Sequence, residues 1–489
     1  MAAHREQPAR SPLVEAVMEA AWRQPAVFHT PGHKRGRWVP EVWPAGAGVP
    51  WAWDGGDAVW DPQHGDDLQE ASQQAARLAA RLWGSERAWL LWNGATAGVQ
   101  AMILAGVPAG GRLLMPRLVH RSAIDALVLA DAVPVFVAPR WLPGWGLPLP
   151  PAPQDLPREP SVDAVLVTSP TYEGICTDLA AVAQVVGPLP LLVDEAHGAH
   201  LAFYPPPAPP TGIGSGAHLV VHGVHKTLPA LTQAALLHRT RAPGGPDADR
   251  VDRLLAALQS TSPQPALLAS LDAARVEMER HGPERVGRAV ELGRQARAAI
   301  ESAGPYRCLA PGDLPAPFRL DETRVTVDVS ALGLSGWEAA RRLRRQHGVW
   351  PEMAGERHLV FILTGADDEV SVQALASALA ALGREARAGA RAAAAGGRRA
   401  AEPAVPPAGP LVMRPRQAAL GPARRVRWEE AAGRVSAATV TPYPPGTPLS
   451  IPGEMITQEV ASFALEMSSR GALLRGCPGS GREVWVVDA

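Results

Sequence analysis

Two residues with reactive side chains, Asp194 and Lys226, each follow a short apolar run. Leu191–Val193 precedes Asp194, and Leu219–Val221 precedes the turn that carries Lys226. Short apolar runs bounded by turn signals are typical of buried strands. In an open α/β sheet, ligands bind beyond the carboxyl ends of the strands. The sequence therefore predicts that this carboxylate and this amine face the same crevice.

Lysine is rare in this chain. Of the 47 lysine and arginine residues, only Lys34 and Lys226 are lysines. Arginine stays protonated and cannot form a Schiff base, whereas a desolvated lysine amine can. The place of Lys226 just after a predicted strand therefore favours a chemical role over a chance position.

A second candidate site lies around Asn93, the only asparagine of the chain. Residues 88–92 are predicted as a strand, and a helix is predicted from Thr96. Asn93 and Gly94 supply a tight turn. Backbone N–H groups at a helix N-terminus, together with the Thr96 hydroxyl, suit a phosphate. Strand, turn and helix in this order are common, so the pattern alone is weakly specific.

A lysine, an upstream aspartate and a phosphate-binding turn together fit pyridoxal phosphate. The lysine would hold the cofactor's aldehyde. The aspartate would keep the pyridine nitrogen protonated, so that the ring can accept electrons. The sequence thus predicts a pyridoxal-phosphate enzyme.

The segment VFHTPGHKRGR near the N-terminus gathers basic residues around a Pro-Gly turn. His29 and Lys34 are its candidate substrate-binding residues. The pattern fits a basic surface loop as well as a loop that closes over an anionic ligand.

Other chemistries fit the motifs less well. Residues 194–197 read DEAH, as in nucleic-acid helicases, but the companion G-x-x-x-x-G-K-[ST] phosphate loop does not occur. No G-x-S-x-G elbow of a serine hydrolase occurs either. His197 and His200 are three residues apart, which makes zinc a weak alternative. No metal is therefore expected.

Composition points to a globular enzyme. The 489 residues are 46% hydrophobic and 19% charged, with a net charge of -1, so no nucleic-acid or membrane partner is expected. The cysteines Cys176, Cys308 and Cys477 are far apart and show no metal or disulfide spacing. The first residues lack the apolar core of a signal peptide. The expectation is a cytoplasmic protein.

Strands and helices alternate between residues 85 and 240, which predicts a mainly parallel α/β sheet covered by helices. Seven strands are predicted, near 88–92, 112–115, 133–137, 163–168, 189–194, 217–222 and 233–238. The chain is divided into an N-terminal segment (1–50), a cofactor-binding large domain (51–304), a small α/β domain (305–382), a flexible linker (383–410) and a C-terminal α+β domain (411–489).

The chain resembles the Orn/Lys/Arg decarboxylases, pyridoxal-phosphate enzymes of the aspartate-aminotransferase fold, in the short form without an N-terminal wing domain. The matching stretches, in the family's order, are FHTPGHKRGR, NGATAGVQAMILA, VHRSAIDALVLADAVPVF, SPTYEGICTDL, VDEAHGAH, HKTLPALTQAALLH, HGVWPEM and TPYPPGTPLSIPGE. The resemblance implies decarboxylation of arginine, lysine or ornithine to a polyamine-pathway amine. It also implies at least a homodimer, with active sites at the subunit interface.

The resemblance also implies roles for individual residues. Lys226 matches the Schiff-base lysine, and Asp194 matches the aspartate on the pyridine nitrogen. His120 matches the histidine that stacks on the cofactor ring. His225 matches the histidine near the phosphate and the reacting carbon, and His197 falls beside the cofactor.

Further matches concern the phosphate and the substrate. Gly94, Ala95 and Thr96 fall at the phosphate turn, where Thr96 alone offers a side-chain donor. Gly223 falls at another cofactor-binding position. Glu352 matches a glutamate close to the distal cation of the substrate.

Two positions depart from the family pattern. Where the family often reads Q-S-x-H-K, this chain has His222 and Gly223, and the turn reads NGAT where a second hydroxyl is common. Backbone N–H groups would have to compensate, or the cofactor would bind more weakly. Two alternatives therefore stay open at this point: another pyridoxal-phosphate reaction, such as transamination or elimination, and a non-catalytic relative that regulates an active enzyme.

Overall fold

The structure is a computed structural model that describes residues 10–23, 34, 54, 67–156, 161–392, 406–443, 448–469 and 472–488. The chain divides into two compact units. Unit one comprises Met1–Ala105 and Leu191–Val286, and unit two comprises Gly106–Pro190 and Gly287–Ala489. The five-part division expected from the sequence stays a prediction.

Eleven α-helices lie within the described residues. In chain order they are α1 (Pro12–Arg23), α2 (Asp67–Trp83), α3 (Gly94–Gly106), α4 (Arg121–Ala130), α5 (Leu179–Val186), α6 (Ala248–Leu258), α7 (Pro265–Ala303), α8 (Gly336–His347), α9 (Glu369–Ala392), α10 (Pro415–Leu420) and α11 (Gln458–Ser469). None of these described helices is long and apolar enough to cross a membrane.

The strands of the described residues are short. In chain order they are β1 (Arg87–Leu91), β2 (Arg112–Pro116), β3 (Val133–Val137), β4 (Arg140–Leu142), β5 (Leu147–Leu149), β6 (Ala164–Thr168), β7 (Ile175–Cys176), β8 (Leu191–Asp194), β9 (Leu219–His222), β10 (Ala235–Arg239), β11 (Arg307–Cys308), β12 (Arg319–Leu320), β13 (Arg324–Asp328), β14 (Met353–Ala354), β15 (His358–Ile362), β16 (Ala423–Arg427), β17 (Thr441–Tyr443), β18 (Leu473–Arg475) and β19 (Glu483–Val487).

Four strands of unit one pair in the order β1, β10, β9 and β8. β8 and β9 are parallel, whereas β10 runs antiparallel to both β9 and β1. The connection from β9 to β10 contains no crossover helix, and so short a return produces an antiparallel pair. β1, β8 and β9 therefore point the same way, and their carboxyl ends lie at one edge.

In unit two, β2 pairs in parallel with both β3 and β6. A separate antiparallel sheet has the order β11, β13, β15 and β14. One hydrophobic core joins α7–α9 and this second sheet to the C-terminal strands and α11, with Trp428 fully buried in it. The segments on both sides of residues 393–405 therefore share a single core.

The predicted alternation of strands and helices between residues 85 and 240 is confirmed. Each of the seven predicted strands is present, with ends displaced by no more than two residues. The clearest difference is α9, which continues to Ala392 and so extends ten residues into the segment expected to be a linker. Its sequence is rich in alanine and arginine, which are strong helix formers.

Candidate active site

The parallel pair β8 and β9 brings the two key segments together. Asp194 is the last residue of β8 and lies opposite Val221 of β9. Beyond the strands, the Glu195 N–H donates to the Val221 carbonyl at 3.1 Å, and the Gly223 N–H donates to the Ala196 carbonyl at 3.1 Å. The loop after Asp194 and the turn that carries Lys226 are thus hydrogen-bonded to each other.

Lys226 ends a short 3-10 turn, Val224–Lys226, that follows β9 directly. Its amine lies 3.0 Å from Nε2 of His197. His197 is buried and belongs to the loop after Asp194. The structure therefore brings together the predicted Schiff-base lysine and one of the predicted cofactor-binding histidines.

Asp194 is buried, with 4% of its surface exposed. One carboxylate oxygen accepts a hydrogen bond from the Ala196 N–H at 3.2 Å, which fixes the side chain at the strand end. A buried carboxylate needs a hydrogen-bonding or cationic partner to keep its charge. A protonated ring nitrogen placed at this edge would be such a partner.

His225 has a defined orientation. Its Nδ1 lies 2.9 Å from the Ala234 carbonyl, so Nδ1–H donates and Nε2 is left as the acceptor of the neutral ring. Burial and the charge of Lys226 lower the pKa of His225, against the opposing effect of the Ala234 carbonyl. His225 therefore offers a proton-accepting nitrogen at neutral pH.

The predicted phosphate turn lies at the same edge of unit one, because β1 runs in the same direction as β9. Gly94 begins α3 with φ +73°, a conformation that favours glycine. The Gln259 side chain accepts from the Trp92 N–H at 2.9 Å, and the Asn93 amide donates to the Leu258 carbonyl at 3.2 Å. The end of α6 thus holds this turn in place.

These residues fit the predicted cofactor. The first N–H groups of α3 have no acceptor within the helix, and the Thr96 side chain beside them is exposed while Ala95 is half-buried. A primary amine, a buried carboxylate and an exposed helix N-terminus are the groups that pyridoxal phosphate requires.

Gly223 lies against Lys226. A Cβ at this position would come within 2.8 Å of the Ala196 carbonyl oxygen and 3.1 Å of Lys226 Cδ. The backbone conformation of Gly223, with φ -86°, is open to any residue. The missing side chain therefore reflects packing against the lysine and its neighbouring loop.

Two predicted site residues belong to unit two. His120 is exposed and caps the N-terminus of α4, with Nδ1 2.8 Å from the Ser122 hydroxyl and accepting from the Ser122 N–H at 3.2 Å. Glu352 is exposed; burial lowers the pKa of Arg324, and the charges of Asp321 and Glu352 oppose that lowering. Its N–H donates to the Val360 carbonyl at 2.9 Å.

The two N-terminal candidates are described only in part. His29 lies outside the described residues. Lys34 is half-buried in a turn with φ 51°, which is uncommon for a residue other than glycine.

The sequence patterns do not predict a buried polar cluster on the neighbouring strands β9 and β10. His222 and His238 have ring centroids 4.8 Å apart, and His238 Nδ1 lies 3.0 Å from the Ser85 hydroxyl. His222 Nε2 lies 3.5 Å from the Glu195 carboxylate. Burial and the charge of His222 lower the pKa of His238 well below its ordinary value. The sequence feature that points to this cluster is His222, which stands where the family pattern often has glutamine.

Comparison with known proteins gives two family matches. Residues 11–314 match the family described as Orn/Lys/Arg decarboxylase, major domain, and residues 400–484 match Orn/Lys/Arg decarboxylase, C-terminal domain. An arginine decarboxylase of Halalkalibacterium halodurans is 30% identical over 480 residues, covering 96% of this chain and 95% of that protein.

Solved structures show the fold. The lysine decarboxylase LdcF of Francisella novicida superposes with a TM-score of 0.81 at 18% identity, covering 98% of this chain and 81% of that chain. The ureidoglycine-glyoxylate aminotransferase of Bacillus subtilis superposes with a TM-score of 0.52 at 14% identity, covering 69% of this chain and 88% of that chain. The predicted aminotransferase-like α/β fold is therefore confirmed.

Proposed function

Because the chain belongs to the Orn/Lys/Arg decarboxylase family, we propose that it releases the carboxylate of a basic amino acid as CO2, with pyridoxal phosphate held at Lys226. The family predicted from the sequence motifs is confirmed by these matches, and so is its class of reaction. The cofactor, the roles of single residues and the identity of the substrate are proposals.

The observation that carries this proposal is the geometry of Asp194 and Lys226. Asp194 ends β8 and Lys226 follows the adjacent parallel strand β9, and backbone hydrogen bonds join the two loops beyond these strands. Pyridoxal phosphate, when bound, supplies an aldehyde that joins to amines and a ring that accepts the electron pair left by CO2. Lys226 would hold the aldehyde carbon, and Asp194 would hold the proton on the ring nitrogen.

The other groups of unit one hold the phosphate and the amine. The N–H groups at the start of α3 and the Thr96 hydroxyl donate to the phosphate. His197 Nε2 accepts a hydrogen bond from Lys226 and thereby directs the amine. His120 of unit two is proposed to lie against the ring, as in the family.

A proton must reach the α-carbon after CO2 leaves, and Lys226 is the better donor. The pKa of His225 is lowered, chiefly by burial, so its ring is mostly neutral at pH 7 and has no proton to give from Nε2. The amine of Lys226 belongs to the same turn and, when protonated, could give a proton to the α-carbon. We assign delivery of this proton to Lys226, and to His225 the acceptance of the proton that the α-ammonium group of the substrate must lose before it reacts.

Arginine is the proposed substrate, since the arginine decarboxylase of Halalkalibacterium halodurans is similar over nearly the whole of both chains. The proposed substrate contacts are Glu352 for the distal cation, with His29 and Lys34 of the N-terminal segment. We also propose a cytoplasmic homodimer whose product enters polyamine formation.

The test combines the absorbance of the bound cofactor with trapping of released CO2, using arginine, lysine and ornithine in turn. We expect a cofactor band and CO2 release with arginine. Lys226→Ala and Lys226→Arg should both lose turnover and the band, because charge alone cannot replace a nucleophilic amine. Turnover in either variant would contradict the proposal. If CO2 is released only with lysine or only with ornithine, that amino acid is the substrate and arginine is not.

A further inference from the structure

The position of His120 depends on helix α4, because the histidine is the residue that caps it. The ring is tied to the first turn through Nδ1, which contacts the Ser122 hydroxyl and N–H. The orientation of the ring therefore depends on the position of the first turn of α4. Groups that fix this helix therefore also fix the ring.

A buried ion pair lies just before α4. Arg117, three residues before His120, donates from both terminal nitrogens to the Glu454 carboxylate, with Nη2–Oε2 at 2.8 Å. Its Nε donates to the Pro448 carbonyl at 3.1 Å. The two side chains are 8% and 3% exposed. Glu454 is further held by the Ile451 N–H at 3.0 Å.

The far end of α4 is held from the same part of the chain. Arg414 contacts the carboxylate of Asp131, the C-cap residue of α4, at 3.0 Å. Arg416 donates to the carbonyls of Val128 and Leu129 at 3.2 and 3.0 Å. These carbonyls belong to the last turn of α4, where the helix dipole favours cations.

We infer that Arg414, Arg416 and Glu454 form a clamp that holds both ends of α4 and thereby positions His120. Arg117 and Glu454 are then positioning residues for the reaction. The role of His120 rests on the proposed function. A buried ion pair adds little stability compared with a well-packed apolar pair. Its two parallel hydrogen bonds, however, fix the relative orientation of the guanidinium and the carboxylate. The C-terminal segment thus acts on the reaction through α4, without touching the reacting atoms itself.

The first readout needs no cofactor. Hydrogen exchange of residues 121–131 is measured by mass spectrometry in the unloaded full-length protein. Glu454→Gln should speed exchange across this helix. Asp488→Asn is the matched control, because it removes one charge from the exposed Arg424–Asp488 pair of the same C-terminal segment, and it should leave exchange unchanged. Equal exchange in the two variants would overturn the clamp.

The second readout is a double-mutant cycle with His120→Ala. Glu454→Gln alone should lower kcat on the order of 10- to 100-fold, as expected for a misplaced group, with a smaller change in KM. In the His120→Ala background the same substitution should have little further effect. An equal loss of kcat in both backgrounds would show that Glu454 does not act through His120 and would overturn the positioning role.

Loss of cofactor binding and misfolding of the variant can both be distinguished from failure of the clamp. A wild-type protein that binds no cofactor would contradict the proposed function, while the exchange data would still decide the clamp. Should Glu454→Gln not fold, Arg414→Ala at the more exposed end of α4 takes its place. It should speed exchange in the last turn of α4, and no change there would overturn the proposal.

Discussion

Gly223 is the residue at which this chain departs most directly from its family pattern, and its packing makes a prediction. Replacing it with serine would add a hydroxyl where the family often has one. The new Cβ would, however, lie 2.8 Å from the Ala196 carbonyl oxygen and 3.1 Å from Lys226 Cδ. Such overpacking costs about 1–3 kcal/mol. We expect Gly223→Ser to bind pyridoxal phosphate no more tightly than the wild type and to lower kcat/KM roughly tenfold or more.

Gly223→Ala separates the crowding caused by the new Cβ from the contribution of the new hydroxyl, because it adds the Cβ alone. Cofactor titration followed by absorbance should give similar dissociation constants for the alanine and serine variants, both at or above the wild-type value. A serine variant that bound the cofactor more tightly than both other proteins would show that a missing phosphate donor, and not packing, determines this position.

The antiparallel sheet of unit two contains a buried histidine, His358 at the start of β15. Burial lowers the pKa of His358 to about 4, despite the nearby Asp328. Because the unfolded chain takes up this proton near pH 6.5, the stability gained from the neutral ring is complete above that pH and is lost as the pH falls towards 4. The whole effect is about 3 kcal/mol. Thermal unfolding should therefore show a larger loss of Tm between pH 7.5 and pH 5 in the wild type than in His358→Gln.

Two comparisons keep this result specific to His358. The buried Glu173, with Oε1 3.9 Å from His358 Nε2, has a raised pKa and acts in the opposite direction, but it is present in both proteins. His281→Gln, at an exposed histidine of α7, should keep the pH dependence of the wild type. The same pH dependence in His358→Gln as in the wild type would show that this histidine is not responsible.

The elements of this fold differ in how far the sequence predicts them. Strands such as β8 and β9 are short apolar runs between turn residues, so their own residues determine them. α9 extends past the predicted start of the linker because the alanine and arginine that make this stretch low in complexity are also strong helix formers. The pairing of Arg117 with Glu454 joins residues 337 positions apart. No local pattern indicates such a partner, although Glu454 lies in one of the motifs that carried the family resemblance.

For the whole molecule, the near absence of lysine allows one decisive chemical measurement. Borohydride reduction fixes pyridoxal phosphate covalently to the lysine that holds it, and this chain offers only Lys34 and Lys226. Lys226 follows β9 at the edge where Asp194 and the start of α3 also lie, so we expect one cofactor per chain, attached to the peptide that contains Lys226. Lys34→Arg should keep this label, and Lys226→Arg should lose it. A label that persists in Lys226→Arg would place the cofactor on Lys34 or on the N-terminal amine, and would contradict the assignment of Lys226 as the residue that holds it.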